Sequence, residues 1–313
     1  MTERLCLRVL LGGMATLAAV QLAAAEITAQ RSEKAVVVKI DGQPFTEYLA
    51  DFRGTPILWP IIGPTGKPMT RAYPMATGRN EREDHPHQRS MWFTHGEVNG
   101  VSFWELGRGI VKHREFVKIT SGQKAVIVTR NDWLAPDAKK VCEDQRTLTF
   151  GTDGHARWID FDITIKATDG PVKFGDTKEG TFGVRVAETI MVETKKGGRI
   201  VDSGGRTDDK AWGKRSAWVD YHGPVDGQTV GIAILNHPSS FRFPTYWHVR
   251  TYGLFAANPF GLRDFEGTKE VDGSYTLPAG ETMTLRYRVL LHEGDEKSGK
   301  VAEAYAGYAA VEK

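Results

Sequence analysis

Apolar and polar residues alternate strictly along much of this chain. Ile159, Phe161, Ile163 and Ile165 interleave with Trp158, Asp160, Asp162 and Thr164, the period-two signature of a strand with one buried face. Leu285, Tyr287, Val289 and Leu291 interleave with Thr284, Arg286 and Arg288 in the same way. Shorter runs at 35–40, 125–129, 147–150, 217–221 and 230–235 predict further strands, separated by turn residues such as Asp41-Gly42, Asp153-Gly154 and Asp226-Gly227. Helical spacing is convincing only over 298–311, where Val301, Ala304, Tyr305, Tyr308 and Ala309 share a face and Ser298 is the expected N-cap. Many strands without intervening helices predict an all-β fold, a large antiparallel sandwich closed by a C-terminal helix.

The N-terminus breaks the pattern. Arg4 and Arg8 precede an apolar run from Val9 to Val20, then Ala23, Ala24 and Ala25 stand before Glu26. That order is expected of a secretory signal over residues 1–25, which would leave a single domain over 26–313 and a periplasmic or secreted protein. No later stretch approaches about twenty continuous apolar residues, so the mature chain is expected to have no transmembrane segment. Of the 41 basic and 39 acidic residues, only Arg4, Arg8 and Glu3 would leave with the signal. A nearly neutral chain has no electrostatic footprint for nucleic acid. Cys6 would leave too, and Cys142, the second of two cysteines, would have no intramolecular disulfide partner.

Three segments carry candidate chemistry. The first reads DHPHQRSMWFTHGEVN over 84–99 and places His85, His87 and His95, three of nine histidines, beside Arg89. Imidazoles so grouped suit acid–base chemistry near neutral pH. They could instead ligate a divalent metal, or be ordinary hydrogen-bonded core histidines. The second segment, KEGTFGVRVAE over 178–188, places Glu179 at a strand entrance and turns Arg185 away from the apolar set Phe182, Val184 and Val186. The third, over 236–261, crowds His237, Tyr246, Trp247, His248, Arg250, Tyr252 and Asn258 together. Aromatic faces beside hydrogen-bonding groups suit sugar rings, though they would equally make an aromatic core. Trp247 and His248 face opposite ways in a strand, so His248 pairs with Arg250. Nucleotide loops, the G-x-S-x-G elbow and H-E-x-x-H are absent from the sequence.

Together the segments resemble an exported bacterial family labelled "methane oxygenase PmoA". The resemblance rests on His85-Pro86-His87, Arg89-Ser90, Trp92-Phe93-Thr94-His95-Gly96, Asn99-Gly100 and Phe103-Trp104. It continues through Glu179-Gly180, Phe182-Gly183, Arg185-Val186, Tyr221, Gly223, Asn236-His237-Pro238, Trp247-His248 and Asn258-Pro259-Phe260, and spans roughly residues 45 to 293. The family often has a histidine where this chain has Gln88, so a base or ligand is missing there. The label names a membrane subunit built of long apolar helices, which the strand pattern excludes. By analogy of architecture the chain looks similar to the supersandwich of galactose mutarotase-like proteins, in which a histidine and a carboxylate act on a sugar ring.

The expectation is a sugar-processing enzyme acting by proton transfer on a carbohydrate or modified glycoside. His85, His87, His95, Glu179 and His248 would be catalytic, and Arg89, Trp104, Arg185, His237, Arg250 and Asn258 would bind substrate. No cofactor is required. Two alternatives stay open: a non-catalytic carbohydrate-binding protein, and a metal-dependent enzyme with His85, His87 and His95 as ligands.

Overall fold

The computed structural model describes Met1, residues 24–78 and residues 80–313. The expected leader over 1–25, Cys6 included, falls almost wholly outside the described residues. In chain order the strands are β1 (Ile27–Arg31), β2 (Ala35–Ile40), β3 (Gln43–Leu49), β4 (Ile57–Leu58), β5 (Met91–His95) and β6 (Ile110–Thr120). Next come β7 (Ala125–Leu134), β8 (Lys140–Thr152), β9 (Arg157–Lys166), β10 (Val172–Phe174), β11 (Gly180–Arg185) and β12 (Arg199–Asp202). The rest are β13 (Trp218–Val225), β14 (Gln228–Asn236), β15 (Tyr246–Val249), β16 (Leu254–Asn258), β17 (Tyr275–Leu277) and β18 (Thr282–Glu293).

Two antiparallel eight-stranded sheets result. The first runs β1-β2-β3-β4-β5-β11-β16-β15 and the second β12-β13-β14-β18-β9-β8-β7-β6, while β10 and β17 form a separate pair. The expected all-β sandwich is therefore the observed architecture. One continuous apolar core joins the sheets. The alternating residues Ile159, Phe161, Ile163 and Ile165 of β9 and Leu285, Tyr287, Val289 and Leu291 of β18 all point into it, as period two requires. Aromatic rings knit its centre: Phe182 of β11 stacks on Tyr287 at 5.0 Å, and Phe161 lies 4.7 Å from Phe182. Cys142 is buried in this core, which pushes its thiol well up, as expected of a structural cysteine.

Each sheet also has an outer face. On the second sheet, Trp218, Ala233, Leu235 and Leu290 are covered by helix α2 (Val301–Ala309) through Val301 and Tyr308. Ser298 does not cap that helix: its hydroxyl turns back to Asp295, and Lys300 stands at the cap in a left-handed conformation. A short helix α1 (Leu262–Glu266) was not foreseen, because five residues are too few to display a period. On the first sheet, Ile57, Trp92, Trp104, Leu254 and Ala256 form a small outer cluster. Trp92 can lie flat there because its cross-strand partner is Gly183, where a Cβ would press into the indole. No helix among the described residues is long and apolar enough to cross a membrane.

A candidate active site on the outer face of the first sheet

The outer cluster floors a cleft of about 230 Å³ to which all three sequence segments contribute. His85, His87 and Gln88 come from the loop before β5, with Trp104 beneath them. Lys178 and Glu179 come from the loop before β11, and His248, Arg250 and Tyr252 from β15 and the turn after it. His248 is on β15 between the core-facing Trp247 and Val249, and the turn after the strand brings Arg250 and Tyr252 to the same cleft.

The first loop is held from inside by arginines. Arg71, wholly buried, donates to the carbonyls of Tyr73, Asp84 and His85 and to the Asp84 carboxylate. Arg185, also buried, donates to Gln88 Oε1 and to the same carboxylate at 3.1 Å, and lies 4.9 Å over the Tyr252 ring. Burial works against a charged Asp84, but Arg185, Arg71 and hydrogen bonds from Arg71 and His85 outweigh it and hold the carboxyl below its ordinary range. This grip fixes His85 at φ 45°, a left-handed conformation that costs a non-glycine residue free energy unless its surroundings impose it. The His85 ring stacks on Tyr252 at 5.3 Å and sets Nδ1 3.2 Å from Asp84.

The second loop hangs from Asn258 at the end of β16. Its Nδ2 donates to the carbonyls of Thr177 and Lys178, and its Oδ1 accepts from the Phe260 amide. His248 Nδ1 reaches the same Lys178 carbonyl at 2.9 Å. A carbonyl only accepts, so Nδ1 carries the proton and Nε2 is the ring's bare nitrogen. Burial drives the His248 pKa down to about 3 and keeps the ring neutral. His87 is brought down to about 4, by burial first and then by the charges of His85, Arg89, Arg185 and Arg71. Glu179 moves the other way. Burial raises its carboxyl and outweighs Lys178, 3.6 Å away, while Asp264 and Glu105 add to the rise.

The remaining candidates lie elsewhere or act indirectly. His95 does not join His85 and His87: with Met91 and Phe93 it faces the core side of β5, between Phe174 and Phe260, and donates from Nε2 to the Gly175 carbonyl. Strand alternation separates it from the cleft, so these three imidazoles do not converge on a common metal position. His237 bonds Ser239 and the Val311 carbonyl and packs on Tyr308, which ties the C-terminal helix down. Arg89 is buried and donates to the carbonyls of His87, Phe52 and Arg53. Arg89, Arg185 and Asn258 thus hold the loops that carry the cleft. By contrast, Arg250 is exposed and lies against the Trp212 and Tyr252 rings at 5.5 and 5.9 Å. Among the described residues no acceptor bonds its guanidinium.

Sequence reasoning passed over Arg71, Asp84 and Glu105 and did not assign Tyr252. Tyr252 lies in the turn between β15 and β16, where no strand period runs. Arg71 lies outside every segment that reads as chemical, and no local signal marks it.

These histidines make stability depend on pH. His87, His95 and His248 bind protons less readily in the folded chain, at about 4, 4 and 3, than unfolded, where imidazole titrates near ~6.5. Between those values the unfolded chain holds more protons, so stability falls as pH falls below about 6.5 and continues to fall toward about 4. His292 opposes them: burial disfavours its charged form, but Asp220 outweighs burial and raises its pKa. The melting temperature should therefore drop between pH 7 and pH 4, and His95→Gln should shrink that drop. An unchanged drop in the variant would contradict a neutral, buried His95.

No curated protein matches the chain in sequence. In structure it is similar to a mutant heparan sulfate lyase of Pedobacter heparinus, at 11% identity and a TM-score of 0.38, over 87% of this chain and 36% of that one. It is also similar to an α-galactosidase from Lactobacillus brevis, at 9% identity and a TM-score of 0.38, over 87% and 40%. The chain thus spans less than half the length of either. A galactose mutarotase related enzyme from Lactobacillus acidophilus is covered over 97% of its length and 85% of this chain, at 11% identity and a TM-score of 0.32. Residues 35–306 match the family described as "Family of unknown function (DUF6807)", and the chain belongs to that family.

Proposed function

We propose that the cleft is the active site of an exported sugar-processing enzyme that moves protons on a carbohydrate or modified glycoside. The observation that carries this reading is that one cleft holds both a carboxylate, Glu179, raised by burial, and an imidazole, His85, whose Nδ1 lies 3.2 Å from the Asp84 carboxylate. A carboxylate and an imidazole facing one cleft can divide the work of base and acid. Glu179 takes a proton from carbon or a hydroxyl, and His85, with Nδ1–H on Asp84, delivers one from Nε2 to the ring or leaving oxygen. The bare Nε2 of His248 accepts a hydroxyl hydrogen bond, and Arg250 holds developing negative charge. Tyr252, stacked on His85, lines the same cleft, and the buried Trp104 supports its floor.

The reading keeps the PmoA-labelled resemblance, whose His-Pro-His and Trp-His motifs supply cleft residues, and the export expected from residues 1–25. Its test is a panel of sugars and modified glycosides followed by NMR. Turnover should appear with the protein and fall about 100-fold or more in Glu179→Gln and His85→Ala. Identical spectra with and without protein would defeat it. Calorimetric sugar binding that is unchanged in His85→Ala, without turnover, would instead establish a carbohydrate-binding protein.

A further inference from the structure

A second polar cluster lies on the outer face of the other sheet, beneath the segment that enters α2. Asp220 and His222, two apart on β13, point to that face, and Asp220 is wholly buried. Asp220 Oδ1 lies 2.6 Å from His222 Nδ1, and Oδ2 lies 2.7 Å from His292 Nε2 of β18. Glu296, largely buried in the segment between β18 and α2, brings Oε2 to 3.8 Å from the same His222 nitrogen. The cluster is built rather than incidental. His222 and His292 both register with Gly231 of β14, and a Cβ at Gly231 would strike the His292 ring and crowd Asp220. A Cβ at Gly299 would strike the same ring from the other side. Two glycines thus leave the space in which the imidazole orients the carboxylate.

From this geometry we infer that Asp220, His222 and Glu296 form a binding site for one divalent transition-metal ion of the zinc type. One ligand atom from each lies within 4.8 Å of the other two. Zinc bonds of about 2.1 Å set tetrahedral ligands about 3.4 Å apart, and the 2.6 and 3.8 Å separations straddle that value. These two separations lie within an ångström of the loaded geometry, and loading would move the His222 ring proton from Nδ1 to Nε2. Two carboxylates balance the charge of a divalent ion, and the imidazole nitrogen favours zinc over calcium or magnesium, which prefer oxygen throughout. His292, bonded to the far oxygen of Asp220, is the outer partner that holds a ligating carboxylate in place. The ion would pin the Glu296 segment, and through it α2, onto β13, and this site is separate from the cleft.

The test uses full-length protein purified without a histidine tag, stripped with chelator and titrated with zinc chloride in a calorimeter. One zinc per chain should bind, and zinc should raise the melting temperature. Glu296→Gln, whose side chain keeps its size at the rim of the cluster, should weaken binding at least 10-fold and abolish the thermal shift with its circular dichroism unchanged. His87→Ala in the cleft should bind as the wild type does. Failure to bind stoichiometric zinc at micromolar concentration would overturn the inference. So would binding that survives Glu296→Gln and is lost in His87→Ala, since the cleft would then hold the ion.

Discussion

Leu285→Asp should cost the fold about 4 kcal/mol or more, whereas Arg286→Leu should cost less than about 1 kcal/mol. The residues are adjacent on β18 but face opposite sides. Leu285 is wholly buried in the apolar core opposite Ile163 of β9. Arg286 turns to the other side, half-buried, and its guanidinium donates to the Ser239 carbonyl and hydroxyl. Against a total stability of about 5–15 kcal/mol, the first loss takes a large share and the second is marginal. Urea denaturation monitored by tryptophan fluorescence measures both. Equal midpoints for the two variants would mean that the faces of the strand are reversed.

The second large effect is expected at Asp84. In Asp84→Ala the carboxylate that faces Arg71 and Arg185 is lost, and both guanidiniums are wholly buried. Removing one partner of a buried ion pair leaves a charge uncompensated and costs about 3–5 kcal/mol. Because the Asp84 side chain is itself 36% exposed, water relieves part of this, and we expect about 2–3 kcal/mol. Adding Arg185→Met should give back part of that loss, because it removes one stranded charge. The double variant should therefore be less destabilised than the sum of the single ones. Additive losses would show that the two groups do not interact. The single variant should also release the Asp84–His85 turn, read as a shifted and broadened His85 ring signal in NMR spectra.

Much of the scaffold was legible from local pattern. The alternation of Ile159 to Ile165 and of Leu285 to Leu291 fixed both the strands and the faces they bury, since a one-residue error would send every apolar side chain to water. The grouped histidines over 84–99 marked where a loop bears chemistry, and Glu179, His248 and Arg250 stood out by residue type. Ser298 misled because a capping residue is defined by backbone geometry as well as by its side chain, and the Asp295 carboxylate claims its hydroxyl.

By itself, then, the sequence determined the class of fold, the inward faces of its longest strands and the three segments that converge. Those follow from a period of two and from side-chain chemistry, which are properties of neighbouring residues. Only the tertiary structure decided which imidazoles share a cleft. His95 reads like His85 and His87, yet the parity of β5 turns it into the core, while His248, more than a hundred and fifty residues away, joins them through the pairing of β11, β16 and β15. It also decided that Arg89, Arg185 and Asn258 hold loops, because a buried guanidinium or amide bonds whichever carbonyls the fold brings to it. The Asp220, His222, His292 and Glu296 cluster belongs to the same class: its members meet only when β13, β14 and β18 are in register, a long-range condition that no local spacing contains.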